Sequence, residues 1–254
     1  MADELAVEQH GRVLVLSINR PQVRNAVNAA TAKAIAAAVD LLDDDDGLSV
    51  GVITGKGEHF CSGMDLKAFL AGELPSVKGR GFAGLVQRPP AKPLIAAIEG
   101  YALAGGFEIA LACDLIVASS AAKFGLPEVK RGLVPTGGGA LHLHQQLPYH
   151  VAMELLLSGD FISAERAHHF GFVNKVTEPG TALQTALEVA DRLAANGPLA
   201  LEAIKAIVRR SPDWSSADAD REQRLIASPV FTSNDAREGA RAFAEKRAAV
   251  WTRS

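Results

Sequence analysis

Short runs of almost uninterrupted apolar residues constrain this chain more than any other feature. Val13-Leu14-Val15-Leu16-Ser17-Ile18 ends at Asn19-Arg20-Pro21, and Ser49-Val50-Gly51-Val52-Ile53-Thr54-Gly55 ends at a glycine turn. Pro93-Leu94-Ile95-Ala96-Ala97-Ile98 and Asp114-Leu115-Ile116-Val117-Ala118 repeat the pattern. Each has strand length and lacks strict polar alternation, so each predicts a strand buried on both faces. Helical patterns fall between them, one alanine-rich over Ala29 to Leu42 and another beginning near Gly105. Buried strands separated by helices predict an α/β sheet covered on both sides.

The character changes near Pro198. Leu199 to Arg209, Ser216 to Ile226 and Asp235 to Trp251 all read as helices with no strand among them. This predicts a core over residues 1–197 and a helical appendage over 198–254. The last helix opens Asp235-Ala236-Arg237-Glu238, an aspartate cap with a glutamate three residues on. Asp43 to Asp46 lack the alternating ligands and central glycine of a calcium loop, so they read as a solvated helix end.

At 254 residues the chain can bury one sizeable core, with or without a small appendage. Its net charge of -3 offers no general attraction to nucleic acid or anionic membranes. Cys61 and Cys113 are the only cysteines, which predicts neither a disulfide framework nor a thiolate metal site and fits a reducing cytoplasm. The acidic N-terminus has no basic segment leading into an apolar run, so no signal peptide is expected. Tyr101 to Ala122 approaches membrane-spanning length, but Glu108, Asp114 and paired glycines interrupt it, and a buried core segment is predicted instead.

Chemistry concentrates in three segments. Gly100 to Glu108 ends in Gly105-Gly106-Phe107-Glu108, and Phe124-Gly125-Leu126-Pro127-Glu128 places a second carboxyl after a second glycine turn. A helix starting at Gly105 would present that residue's unpaired N–H with the positive end of the helix dipole, and Glu108 would lie one turn on along the same face. Phe60-Cys61-Ser62-Gly63-Met64-Asp65-Leu66 offers a second amide, that of Met64. Together they describe an oxyanion hole flanked by two acids. Each part also has a plainer reading: the glycines as close helix–strand packing, Glu108 as an acid favoured by the dipole, and Glu128 as a helix start.

Other motifs do not hold. Gly51 to Gly57 has the wrong glycine spacing for a phosphate loop and no Ser or Thr after Lys56. His142 and His144 diverge if helical and lack acidic or cysteine companions, so no metal site is predicted. Cys61 reads as a small apolar residue, with His59 left open as a partner. Pro135-Thr136-Gly137-Gly138-Gly139 reads as a helix opening near the site.

In this order, these elements resemble the enoyl-CoA hydratase (crotonase) superfamily over almost the whole chain. The resemblance rests on Asn19-Arg20-Pro21 with Asn25-Ala26, on the 60–66, 105–108, 113–114 and 124–128 segments, on Gly132-Leu133-Val134-Pro135, and on Ala242 to Arg247. It implies a spiral of β-β-α turns with a C-terminal helical trimerisation region, in trimers or paired trimers. It implies an oxyanion hole at the amides of Met64 and Gly105, with methionine where many hydratases carry alanine, and catalytic acids at Glu108 and Glu128. It places CoA contacts along Asn19 to Asn25 and Ser62 to Lys67, hence at Ser62, Asp65, Leu66 and Lys67, with Arg24 and Lys246 as phosphate partners. For both cations an ordinary surface role stays open. The implied reaction is reversible syn addition of water to a 2-enoyl-CoA, giving a 3-hydroxyacyl-CoA, with no cofactor beyond the substrate's own CoA. Alternatives in the same superfamily are double-bond isomerisation and dehydration of a carnitinyl-type acyl-CoA. RNA-binding relatives predict a lysine-rich helix, yet Ala29 to Leu42 carries only Lys33. A non-catalytic subunit is disfavoured by the presence of both acids and both glycine turns. Phe69, Leu70, Leu74, Phe82 and Leu85 are expected to border the acyl pocket or to lie in the core.

Overall fold

The computed structural model describes residues 4–254. Its strands are β1 Leu5–His10, β2 Val13–Ile18, β3 Val50–Gly55, β4 Ser76–Val77, β5 Gly81–Phe82, β6 Leu94–Ile98, β7 Tyr101–Leu103, β8 Leu115–Ser119, β9 Lys123–Gly125, β10 Phe161–Ser163 and β11 Lys175–Thr177. Its helices are α1 Ala29–Asp44, α2 Leu66–Leu70, α3 Gly105–Ala112, α4 Gly139–Gln146, α5 Tyr149–Ser158, α6 Ala164–His169, α7 Ala182–Ala194, α8 Pro198–Arg210, α9 Ala219–Thr232 and α10 Asn234–Glu245.

The strands expected from the apolar runs form most of one sheet, in the order β1-β2-β3-β6-β8-β11. All its pairs are parallel except β1 with β2, a hairpin in which Leu5 faces Ile18 and His10 faces Val13. Both faces are covered, which explains the lack of polar alternation. Val13, Val15, Val50, Val52, Ile95, Ala97 and Val117 pack against Ala186, Val189 and Ala190 of α7. Leu14, Leu16, Ile18 and Ile53 face the main core, with Ile35 and Leu42 of α1 and Phe107 of α3. There Phe107, Phe124 and Phe172 meet edge to face or tilted, at centroid separations of 5.2 to 5.5 Å.

A smaller layer, β10-β9-β7, stands beside this sheet. Cys61 joins it through a parallel bridge to Ala102, and Ala102 in turn pairs with Phe124. Met64 bridges to Val27 in the same way. Each spiral turn thus leaves the large sheet, adds a residue or strand to the small layer, and passes into a loop or helix. The segments that follow Cys61, Leu103 and Gly125 therefore emerge side by side. That stacking brings together residues from 22 (Leu103 to Gly125) to 64 (Cys61 to Gly125) positions apart in the chain.

After Pro198 there are only helices. Lys205 of α8, 9% exposed, donates to Asp114 and to the Lys92 carbonyl, tying α8 to the start of β8. Two expectations here are corrected. The cap of α10 is Ser233, which accepts from the Ala236 amide, while Asp235 accepts from the amides of Thr252 and Arg253 and so anchors the returning C-terminus. The ninth helix runs past Ile226 to Thr232 and carries Pro229 within it, on an exposed turn. The acidic end of α1 is also more engaged than a solvated tip. Asp43 accepts from the amides of Ala91 and Lys92, and Asp46 pairs with Arg253.

Candidate active site

The residues singled out from sequence as catalytic converge on one cavity of about 670 Å³. Met64, Gly105, Glu108 and Glu128 all line it, as do Arg24, Ser62 and Leu66.

The floor is the start of α3. Its N-cap is Ala104, held in the left-handed half of backbone space (φ 50°, ψ -127°), where an L-residue is strained. The Ala104 amide donates to the Gly125 carbonyl, which fixes the turn against β9. Gly106 is required next, since a Cβ there would run into the Cys61 carbonyl. Gly63, at φ 100°, has its own missing Cβ 3.1 Å from the Gly105 nitrogen, so the Met64 and Gly105 turns are packed together. Among the described residues, no acceptor takes the Met64 or Gly105 N–H. Two free amides from adjacent turns, one at a helix N-terminus, are suited to hold an oxygen that gains negative charge.

Glu108 is 4% exposed, in the first turn of α3. Its Oε1 accepts from the Gly139 amide at 2.9 Å. A Cβ at Gly137 would be driven into the same carboxylate, so the 137–139 glycines cradle it. Burial raises the Glu108 pKa, and the amides of Gly139 and Gly137 oppose that rise by stabilising the anion. Glu128 sits in a 3-10 turn, Pro127–Arg131, whose proline begins the turn and whose Gly132 ends it in left-handed conformation. Burial, with a smaller contribution from the Glu108 charge, pushes Glu128 up to about 7. Its Oε2 is buried with no hydrogen-bond partner among the described residues. The two acids thus differ in environment: the Glu108 carboxylate is supported by the amides of a neighbouring loop, whereas Glu128 has only its own backbone amide and one buried oxygen without a partner.

The walls are apolar, from Phe69, Leu74, Phe82, Leu133, Val134 and Phe161. Phe82 lies over Gly105, where a Cβ would strike its ring. Of the other residues expected at the pocket, Leu70 is 85% exposed and does not line it, while Leu85 is fully buried in the core. Cations mark the mouth: Arg24 stacks 5.9 Å over Tyr101, and Lys130 and Arg131 add to the lining. Glu108 and Glu128 are the only acids among the lining residues.

Several residues expected at the CoA contacts lie outside the lining of this cavity. Asp65 caps α2, accepting from the amides of Lys67 and Ala68, and pairs with Arg20 at 3.0 Å. Lys67 is exposed and outside the cavity lining, and so is Lys246, the left-handed C-cap of α10. Asn25 is fully buried and binds the Arg20 amide and the carbonyls of Lys56 and His59, so part of the Asn19 to Asn25 motif braces the loops. Cys61 is buried with its thiol pushed up to about 12, and His59 stacks on Tyr101 at 4.5 Å. This is a fully buried, packed thiol whose thiolate is disfavoured by burial. Sequence reading missed the contact of Gly137 and Gly139 with Glu108, although three consecutive glycines were a visible sign of close backbone approach. It also missed Phe161, Lys130 and Arg131, which carry no signal of their own. Among the described residues no three His, Cys, Asp or Glu side chains form a metal-ligand set, and no helix is long and apolar enough to cross a membrane.

Comparison with known proteins bears on this arrangement. Residues 8–254 match the model of the family described as enoyl-CoA hydratase/isomerase. The chain is 43% identical over 251 residues to "Enoyl-CoA hydratase EchA19" of Mycobacterium tuberculosis, covering 95% of this chain and 94% of that protein. It is 42% identical over 262 residues to "Carnitinyl-CoA dehydratase" of Salmonella typhi, covering 99% of each. The crystal structure of an enoyl-CoA hydratase from Mycobacterium tuberculosis H37Rv superposes with a TM-score of 0.97 at 57% identity, covering 99% of this chain and 100% of that one. With its paired acids and free amides on the spiral these relatives share, the chain belongs to the enoyl-CoA hydratase/isomerase family.

Proposed function

We propose that the protein is an enoyl-CoA hydratase that adds water reversibly, in syn fashion, to 2-enoyl-CoA thioesters. The observation that carries this reading is the facing of two unlike carboxyls, Glu108 and Glu128, onto the cavity that also receives the free amides of Met64 and Gly105. The thioester carbonyl oxygen rests against those amides, which meet the enolate charge as it develops and contribute about 3 kcal/mol each. Water lies between the acids. Glu108, its anion supported by backbone amides, takes the proton as the water oxygen bonds to the β-carbon. Glu128, held protonated to about neutral pH, delivers a proton to the α-carbon. The pair titrates as a coupled unit.

The lining supports an uncharged acyl chain. Its walls are aliphatic and aromatic, its only acids are engaged in catalysis, and its remaining charges are cationic, so a trimethylammonium group finds no counter-ion there. CoA enters as part of the substrate, its phosphates meeting Arg24 of the cavity lining, with no separate cofactor in the reaction. Phe231 and Phe243, 81 and 88% exposed on α9 and α10, support assembly into a trimer or a pair of trimers through the helical region. The two free cysteines support residence in the cytoplasm. The test is loss of the conjugated enoyl-thioester absorbance with short, medium and long substrates. A large drop in turnover in Glu108→Gln and in Glu128→Gln is expected; no turnover by the native protein at any length, or turnover indifferent to both substitutions, overturns the reading.

A further inference from the structure

A second cavity of about 270 Å³ shares Glu108 and Gly137 with the first. The Glu108 carboxylate therefore stands at the boundary of two spaces. The second runs along the C-terminal end of α3, at Leu111 and Ala112, and between α4 and α8, at Gln146 and Arg209. Its rim includes His142, Gln145, Val208 and Pro212, all exposed, so it opens to solvent through residues that take no part in the larger cavity.

Hydration poses a traffic problem that this geometry addresses. A bound thioester fills the larger cavity and covers the acids, yet one water must reach them in each forward turnover and leave in each reverse one. The smaller cavity is polar enough to carry it: Gln146 donates to the Leu111 carbonyl at 3.2 Å, Arg209 to the Ala112 carbonyl at 3.3 Å, and His142 meets Gln145 at 3.2 Å. An acyl tail would have to cross the Glu108 carboxylate to enter, stripping it of polar partners.

We propose that the second cavity is the water passage of the reaction, admitting and releasing water at Glu108 while the thioester occupies the first. This rests on the hydratase reading. The passage is used by a molecule too small to need shaped walls, so blocking it tests the idea directly. Val208→Trp and Gln145→Trp place an indole at the rim from opposite walls; both positions are exposed, and neither belongs to the catalytic set.

The experiment follows oxygen-18 washout from labelled 3-hydroxyacyl-CoA at equilibrium and compares it with exchange of the acyl group between the bound and free enoyl pools. If water has its own route, the native protein loses label faster than it releases enoyl-CoA, and each tryptophan variant lowers that ratio, about tenfold if the added barrier is modest. A ratio of one or less in the native protein, or an undiminished ratio in both variants, overturns the passage. So does a loss of activity confined to long-chain substrates, which would make the cavity a site for the acyl tail. A native protein that turns over no enoyl-CoA overturns the hydratase reading as well, whereas normal hydration with an unaltered ratio overturns the passage alone.

Discussion

The catalytic end and the C-terminal helices are built on opposite principles. At the site, polar groups are few, deeply placed and set on an apolar body: every residue of α3 is buried, and Glu108 is its only acid. In the C-terminal helices α9 has no buried residue, and α10 buries only Asp235 and Ala242. What holds that region is polar: Lys205 on Asp114, Arg253 on Glu202 and Asp46, Asp235 on the returning tail, and the Trp251 indole on the Ala195 carbonyl. The site gains precision from close packing, which permits little relaxation. The helical region gains its attachment from a few directed contacts and leaves its apolar side chains outward. Damage to the first should therefore be read in rate, and damage to the second in stability.

The largest effect expected is on rate. Glu108→Gln or Glu128→Gln should lower kcat about a thousandfold while the melting temperature holds or rises, since each removes a general acid or base and leaves the packing intact. A large drop in melting temperature for both would erase the contrast. Next, Lys205→Ala leaves Asp114 without its buried partner and should cost about 3 kcal/mol in denaturant unfolding, with kcat per folded molecule unchanged.

Glu128 sharpens the comparison through pH. Its pKa is raised from 4.5 to about 7, so the folded state holds a proton that the unfolded state has released within that window. Stability is unaffected below 4.5 and falls as pH rises toward 7. Glu128→Gln should thus be more stable than the native protein by about 2 kcal/mol above pH 7, and equally stable near pH 4. Native hydration should decline on the alkaline side of about 7, as Glu128 loses the proton that it delivers. The smallest effect is Ser233→Ala, which removes the α10 cap and should cost about 1 kcal/mol with no change in rate.

How much of this was legible in the sequence follows the same divide. Strands β2, β3, β6 and β8 and helix α3 were readable because their apolar runs are dictated by burial on two faces, and the residues from Gly105 to Glu108 announce a helix start with an acid one turn in; the short strands β7, β9 and β10 beside the site were not. Met64 and Glu128 were readable as site residues because each follows a glycine in its own segment, although their meeting depends on the spiral's parallel bridges. The cradle around Glu108 was not: Gly137 and Gly139 approach it across 31 and fewer residues of loop and helix, and no local rule names the partner. The α10 cap was misplaced by two residues because Ser233 and Asp235 both have capping chemistry, and only the tertiary demand of the C-terminus on Asp235 decides between them. Asp65 reads as a polar motif residue, yet its carboxylate is used up on a helix cap and on Arg20.

The strained corner at Ala104 has a consequence for heat. Its backbone is not in its resting shape; β9 and the first turn of α3 hold it there, against a cost of about 1 to 3 kcal/mol. A segment under such load is released when its neighbours loosen, before the large sheet gives way. Warming should then silence the protein some degrees below its melting point, reversibly on cooling, with the sheet still intact and only the aim of one amide lost.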